Sequence, residues 1–236
     1  MTNLKPTRQW PAGLVDYRGF RLNKLFTPAY SHLLLLLFWP AYGLVFAALE
    51  AATERNYYIV HAPLDDVIPF CEAFVIPYLF WFVFLGGMVA YLLLFDVPNF
   101  KRMMYFVMLT YTTTCIIYIL YPTMQDLRPK AFPRDNLLSR FMGHFYEFDT
   151  NTNVCPSLHV IGSFAALFGG WYTKRFATLF RRGVMVVCTV LICMSTVFLK
   201  QHSVLDIPPA LLLSAIGYWV VYHRPSRAPQ TGRYIS

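Results

Sequence analysis

Long apolar runs alternate with shorter polar connections along the chain. Runs that suit a bilayer crossing lie at residues 31–49, 73–95, 103–120, 157–172, 184–200 and 204–222. A helix needs roughly 20 residues, at about 1.5 Å each, to cross about 30 Å of hydrocarbon. The pattern therefore predicts an all-α, polytopic membrane protein built as a bundle of six transmembrane helices.

The runs also predict the domain organisation. No internal repeat or Gly/Ser linker divides them, so residues 31–222 are expected to form one membrane domain. A cytoplasmic N-terminal segment, residues 1–30, would precede it, and a flexible cytoplasmic tail, residues 223–236, would follow. The fourth run is short, and the fifth and sixth are nearly continuous across residues 199–206, "LKQHSVLD".

Composition and charge set the orientation. Hydrophobic residues make up 57% of the chain and charged residues 14%, which excludes an ordinary soluble domain. Of the 20 lysines and arginines, 14 fall in the N-terminal segment, the second and fourth connections and the tail. Because such residues stay on the cytoplasmic side, both termini are expected inside, and the third and fifth connections outside. The outer compartment is a periplasm, cell exterior or lumen, and a bacterial plasma membrane is the expected location. Topology explains the net charge of +8, so no nucleic acid partner is inferred.

The segment "CPSLHV", residues 155–160, leads from a polar loop into the fourth run. Pro156 suits the first turn of a helix, and Ser157 places a hydroxyl beside the free N–H groups of that turn. A helix N-terminus binds anions, so a phosphate could sit there next to His159. The alternative is that Ser157 only caps the helix and His159 is satisfied inside the bundle.

A second polar cluster lies in "STVFLKQHSVLD", residues 195–206. If this stretch is helical, His202 and Asp206 share a face and can form a hydrogen bond that fixes the imidazole tautomer. The other ring nitrogen could then attack phosphorus. Ionisable groups at membrane depth are costly, which favours a functional role. The alternative is a structural His202–Asp206 pair beside a snorkelling Lys200.

The connection of residues 121–156 is the longest, and it contains "DLRPK". Arg128 can offer phosphate a planar set of N–H donors. Aromatic residues predict a lid on the membrane surface: Phe132, Phe141, Phe145, Tyr146 and Phe148. Glu147 and Asp149 would repel a phosphate, so both are expected to lie away from the site or against a cationic or polyol headgroup. Cys71 and Cys155 could both lie on the outer side, and a disulfide between them stays open.

Together these segments resemble the three signature motifs of the type 2 phosphatidic acid phosphatase superfamily, which includes lipid phosphate phosphatases. The family patterns are Lys-x6-Arg-Pro, Pro-Ser-Gly-His and Ser-Arg-x5-His-x3-Asp. The matching residues are Arg128-Pro129, Pro156-Ser157-x-His159 and Ser195-x6-His202-x3-Asp206, in this order and spacing. Three positions depart from the patterns: Tyr121 replaces the first Lys, Leu158 the Gly and Thr196 the third-motif Arg. Pro-Ser-Leu-His is similar to the inositol phosphorylceramide synthase branch.

The resemblance implies a mechanism and a set of site residues within the motif region, residues 121–206. His202 would be the nucleophile, Asp206 its partner and His159 the proton donor, with no metal and no cofactor. Arg128, Ser157, Leu158 and Lys200 would bind the phosphate. Lys200 could replace one missing cation, with Lys130, Arg134 and Arg140 as further candidates.

The expected function is that of an integral membrane lipid phosphatase or phosphotransferase, with a lipid phosphate as substrate and the active site on the outer face. An inositol- or other alcohol-accepting transferase is one alternative. A metal-dependent enzyme with His159, His202 and Asp206 as ligands is another. A lipid transporter or binding protein on the same scaffold is the non-enzymatic alternative. The lipid headgroup and the oligomeric state stay open.

Overall fold

A computed structural model describes residues 14–52 and 55–223. Residues 1–13 of the predicted N-terminal segment and residues 224–236 of the predicted flexible tail lie outside the described residues.

The described chain is helical apart from loops and two very short strands. The helices are α1 (Phe38–Ala51), α2 (Pro63–Val67), α3 (Val75–Phe95), α4 (Val97–Leu120), α5 (Leu137–Phe148), α6 (Leu158–Trp171), α7 (Leu179–Phe198) and α8 (Ile207–Tyr222). Three of them follow directly on 3₁₀ segments: Ser31–Leu37 before α1, Glu72–Phe74 before α3 and Val204–Asp206 before α8. Strands β1 (Tyr58–Ile59) and β2 (Thr123–Met124) pair in parallel.

Five helical segments of the described chain are long and apolar enough to cross a membrane. With their 3₁₀ turns included, they are Ser31–Ala51, Glu72–Phe95, Val97–Leu120, Leu179–Phe198 and Val204–Tyr222. The sixth apolar helix, α6, has only 14 residues. The all-α membrane fold is confirmed, while the count of six crossing helices stays a prediction.

Two helices begin earlier than the hydrophobic pattern indicates, because their first turns are polar. Helix α4 begins at Val97 instead of residue 103, and the Asp96 side chain caps it by accepting from the backbone N–H of Asn99. Helix α7 begins at Leu179 instead of residue 184, with Thr178 as the N-cap. Capping side chains satisfy the free N–H groups of a first turn, so polar residues can start a membrane helix.

Helix α6 lies in the centre of the bundle and packs against α3, α4, α7 and α8. Its buried residues are mostly small, and Ala165 and Ala166 are fully enclosed. A Cβ atom on Gly162 would lie 2.6 Å from the Tyr111 hydroxyl and 2.8 Å from the Trp81 ring. Only a glycine lets α6 approach its neighbours this closely.

One end of the bundle, called the site end below, gathers the ends of several helices. Arg55, after α1, donates to the Tyr118 carbonyl near the end of α4 at 3.0 Å. The backbone N–H of Cys71, before α3, donates to the Phe198 carbonyl at the end of α7 at 3.0 Å. The long connection of residues 121–156 also lies at this end, because Met142 of α5 packs with Tyr78 of α3.

Candidate active site

The segment between α7 and α8 is a tight turn and not the continuous helix on which the expected His202–Asp206 contact was based. The backbone N–H groups of Gln201 and His202 both donate to the Thr196 carbonyl, at 2.9 and 3.0 Å. Lys200 adopts a left-handed conformation with a φ of 54°, which closes the end of α7. This turn places the His202 side chain next to the start of α8.

His202 and Asp206 form a buried hydrogen-bonded pair. The Nδ1 atom of His202 lies 2.9 Å from Oδ2 of Asp206. The same carboxylate oxygen accepts the backbone N–H of Ser203 at 3.1 Å, which anchors it in the first turn before α8. Because Asp206 occupies Nδ1, the proton lies on that nitrogen, and Nε2 keeps a free lone pair.

His159 lies in the first turn of α6 and faces His202. The two ring centroids are 5.9 Å apart, close enough for both rings to contact one small anion. Tyr78 and Trp81 of α3 enclose the His159 ring, with centroids at 4.4 and 4.5 Å. Its Nε2 atom is buried and has no hydrogen-bond partner among residues 14–52 and 55–223. A buried polar atom of this kind needs a partner, such as a ligand or water.

Ser157 is the N-cap residue of α6 and lies beside the two histidines. Its Oγ atom is buried and, within the described chain, has no hydrogen-bond partner. Its backbone N–H donates to the Asp206 carbonyl at 3.3 Å, which ties the start of α6 to the start of α8. The Leu158 side chain packs into the apolar core. Only the backbone N–H of Leu158, in the first helical turn, is therefore available to an anion.

Arg128 lies at the site end, and its guanidinium binds protein oxygens. It donates to the carbonyls of Tyr146, Asp149 and Thr150 at 2.6–2.8 Å and to Oε1 of Gln201 at 2.7 Å. Its Nε atom is buried and lacks a partner within the part of the chain that the structure describes. Burial lowers the pKa of Arg128, while the Asp149 carboxylate opposes this shift. The side chain therefore fastens the end of α5 beside His202 and keeps Nε–H free.

Lys200 is also held by carbonyls. Its Nζ atom donates to the backbone oxygens of Asp65 and Ile68, both at 2.6 Å. Burial lowers the pKa of Lys200, and the nearby carboxylates of Asp65 and Asp66 oppose this effect. An ammonium group has three N–H donors, so one remains after these two bonds.

The Asp65 carboxylate connects the α1–α3 connection to the turn that carries His202. Its Oδ2 accepts the Ser203 hydroxyl at 2.5 Å, and its Oδ1 accepts the Val204 N–H at 2.8 Å. No motif in the sequence points to Asp65, although its position in the short helix α2 is typical of a residue that stabilises a first turn. Both oxygens bind residues next to His202, so Asp65 fixes the shape of that turn.

Asp149 lies in the site wall, so the first of its two expected placements, away from the site, is wrong. The second, against a cationic or polyol headgroup, stays a prediction. Its Oδ2 atom accepts the Tyr78 hydroxyl at 3.0 Å and Nε2 of Gln201 at 2.9 Å. Burial raises the pKa of Asp149, whereas the Tyr78 hydrogen bond and the charges of His202 and Arg128 lower it. These interactions offset the free-energy cost of burying a charged carboxylate near the site. Glu147 is exposed, as expected.

We expect Tyr78→Phe to lower the free energy of unfolding by about 1–3 kcal/mol, the usual cost when a buried group loses its hydrogen-bond donor. The ring packing on His159 is kept, and the Asp149 carboxylate loses one of its two side-chain donors. Unfolding of the purified protein in detergent measures the change. Tyr105→Phe, on an exposed position of α4, is the matched control and should leave stability unchanged. Equal stability of the two variants would contradict this prediction.

The positions that depart from the family patterns do not point at the two histidines. Tyr121 is exposed and stacks on Tyr58, with ring centroids 4.2 Å apart. The Thr196 hydroxyl donates to the Cys193 carbonyl at 2.8 Å. Among the candidate replacements, Arg134 binds Glu72, Arg140 binds Asp135, and Lys130 is exposed. Of these candidates, Lys200 lies within the turn of His202, and Arg128 contacts Gln201 of the same turn.

In the described part of the chain, Cys71 and Cys155 form no disulfide, and the candidate metal ligands form no cluster. Cys71 and Cys155 are both free thiols in the structure. Within the described ranges, no three side chains of His, Cys, Asp or Glu are grouped so that they could hold a metal ion. The set proposed for a metal-dependent enzyme, His159, His202 and Asp206, is therefore not arranged as a metal site in this part of the chain.

A cavity of about 680 Å³ opens beside Lys200 at the site end. The α1–α3 connection and the long connection form its walls, with His61, Asp66, Asp126 and Arg134 among the lining residues. His61 and Asp66 form an exposed pair, with Nε2 and Oδ1 2.9 Å apart. The cavity is therefore polar and carries charges of both signs.

Comparison with known proteins identifies a family. The sequence model of the PAP2 superfamily matches residues 102–229, which include all three motifs. No curated protein matches the chain significantly. No solved structure matches it significantly either.

Proposed function

Because the chain belongs to the PAP2 superfamily, whose members act on phosphate esters, we propose that it is a membrane-embedded lipid phosphatase that works through a phosphohistidine. The observation that carries this proposal is the His159–His202 pair, with ring centroids 5.9 Å apart and Asp206 on Nδ1 of His202. Family membership supports a phosphate-ester substrate. The apolar helices support a substrate that resides in the membrane.

The reaction proceeds in two transfers. Nε2 of His202 attacks phosphorus, the bond between phosphorus and the lipid oxygen breaks, and the leaving alkoxide takes a proton from His159. The positive phosphoimidazolium is stabilised by the Asp206 carboxylate at 2.9 Å. A water molecule then gives a proton to His159 and attacks phosphorus, which releases phosphate and restores His202. Each histidine serves in both transfers.

The phosphoryl oxygens are held by donors that the protein leaves free. These are the backbone N–H groups in the first turn of α6 and the Ser157 hydroxyl, which has no protein partner within the described chain. Lys200 adds its third N–H, and Arg128 adds Nε–H. Oriented donors of this kind stabilise the charge that develops on the oxygens in the transition state.

The active site is proposed to open to the outer side of the membrane. Within the described chain, the segments at the site end contain six lysines and arginines: Arg55, Arg128, Lys130, Arg134, Arg140 and Lys200. The segments at the opposite end contain nine: Arg18, Arg21, Lys24, Lys101, Arg102, Lys174, Arg175, Arg181 and Arg182. Under the positive-inside rule, the end that belongs to the richer set is cytoplasmic. A bacterial plasma membrane is the proposed location.

Transfer of the phosphoryl-containing group to an alcohol is a second candidate function, favoured by the cavity beside Lys200. A transferase needs space for a polar acceptor near the site, and the cavity of about 680 Å³, which Lys200 lines two residues before His202, would hold a polyol. Carboxylates and a histidine in its wall offer acceptors for hydroxyl hydrogens. The same two histidines would serve, with His159 taking the proton of the alcohol in place of that of water.

The purified protein in phospholipid vesicles provides the test. With a panel of lipid phosphates, we expect release of inorganic phosphate, inhibition by vanadate, and full activity after treatment with a metal chelator. Vanadate adopts the five-coordinate geometry of the transition state and binds such sites more tightly than substrate. Loss of activity with the chelator but not with vanadate would overturn the mechanism. Lipid products that form only when inositol or another alcohol is added would favour the transferase.

A further inference from the structure

Helix α5, within the long connection, exposes an apolar strip. Leu137, Phe141 and Phe148 are 81%, 40% and 86% exposed. At about 100° per residue, the three side chains fall within about 40° of one another around the helix. They therefore form one continuous ridge.

A charged strip lies next to this ridge. Arg140, His144 and Glu147 are exposed, and they follow one another at helical spacing on the neighbouring side of α5. The remaining side of the helix is covered, because Met142 is buried and packs with Tyr78 and Leu199. The helix thus has three sides: one against the protein, one apolar and one charged.

Contacts with the 3₁₀ turn before α3 fix the position of α5 along the long axis of the bundle. Arg134 and Asn136, just before α5, both donate to Oε1 of Glu72 at 2.9 Å. Glu72 is the first residue of the apolar segment Glu72–Phe95, and Ile76, one turn further on, is exposed on the outside of the bundle. Helix α5 therefore begins where the apolar surface of the bundle begins. Its 12 residues, about 18 Å in length, are too few to cross a bilayer.

We propose that α5 lies flat in the outer interface of the bilayer, with the ridge of Leu137, Phe141 and Phe148 among the lipid acyl chains. The charged strip then faces headgroups and water, as is typical of an interfacial helix. This inference does not depend on the proposed reaction. Arg128 binds the Tyr146 carbonyl and stacks on the Tyr146 ring at 4.4 Å, so the lipid-bound helix also holds one wall of the active site.

The test compares two neighbouring positions that are equally exposed but lie on different strips. Phe148→Trp and Glu147→Trp are each reconstituted into phosphatidylcholine vesicles with or without bromine atoms on the acyl chains. Bromine quenches tryptophan emission on contact, and the emission of the unmodified protein is subtracted. We expect the added emission of Phe148→Trp to lose most of its intensity in brominated lipid, and that of Glu147→Trp to change little. Gel filtration in detergent checks that both variants fold as the parent does.

Equal quenching of the two added tryptophans, or stronger quenching for Glu147→Trp, would overturn the proposal. A contact between two copies of the chain would also cover the ridge. In that case Phe148→Trp would escape quenching, and Phe148→Cys would cross-link one copy to another. That pair of results would likewise overturn the lipid contact.

Discussion

Replacement of His202 by alanine is expected to lower phosphate release by roughly 10³-fold or more, because the reaction loses the atom that bonds to phosphorus. The turn that carries His202 is held by backbone bonds to the Thr196 carbonyl and by Asp65, so the fold should persist. Initial rates on a radiolabelled lipid phosphate measure the loss. Rapid alkaline quenching should trap label on the parent protein as phosphohistidine and none on His202→Ala.

The matched control is His144→Ala, since His144 is exposed on α5 and is not bound to the reacting groups. It should keep the rate of the parent. If His202→Ala retained a substantial rate, or still trapped label, another residue would be the nucleophile. In that case the role of His202 given above would have to be abandoned.

Replacement of Asp206 by asparagine is expected to slow the reaction by about 10²- to 10³-fold. The asparagine oxygen can still accept from Nδ1 of His202 and from the Ser203 N–H, so the geometry of the pair is kept. The substitution removes the attraction between the carboxylate and the positive phosphoimidazolium. This attraction is worth roughly 3–4 kcal/mol at an effective dielectric constant of about 20. Steady-state kcat measures it. Asp206→Ala, which also removes both hydrogen bonds, should be slower still.

An exposed pair of a histidine and a carboxylate on α5 provides the control for this substitution. Nδ1 of His144 and Oε2 of Glu147 are 3.9 Å apart, and Glu147→Gln makes the same chemical change there. The rate should change by less than about twofold, because exposed ion pairs are worth little. If Asp206→Asn and Glu147→Gln had similar rates, Asp206 would have only a structural role.

The hydrophobic pattern was enough to predict the fold class, and the spacing of the three motifs was enough to predict the family. The reasons are physical. Bilayer thickness fixes the length of apolar helices, so runs of this length are read directly from the sequence. The spacing within the three motifs reflects where the helices begin and end at the site end. The helix starts were predicted less well, since Asp96 and Thr178 cap polar first turns that resemble connections.

The surroundings of the two histidines could not be read from the motifs. Tyr78 and Trp81 look like ordinary aromatic residues near a membrane boundary, and only the packing of α3 on α6 brings them onto His159. Asp149 and Gln201 are 52 residues apart and meet through one hydrogen bond. Its negative charge alone predicted that Asp149 lies away from the site. The free-energy cost of placing this carboxylate in the site wall is instead offset by Tyr78, Gln201 and Arg128, which come together only in the folded chain.

The contact between the α1–α3 connection and the turn of His202 has a consequence for fragments of this protein. A chain that began at residue 102 would carry every motif residue and all of the region that matches the superfamily. It would lack Asp65, which holds Ser203 and Val204, and the two rings that enclose His159. The reacting groups would then have lost part of the scaffold that orients them. The proposed active site therefore depends on both halves of the polypeptide, although the motif residues all lie in the second.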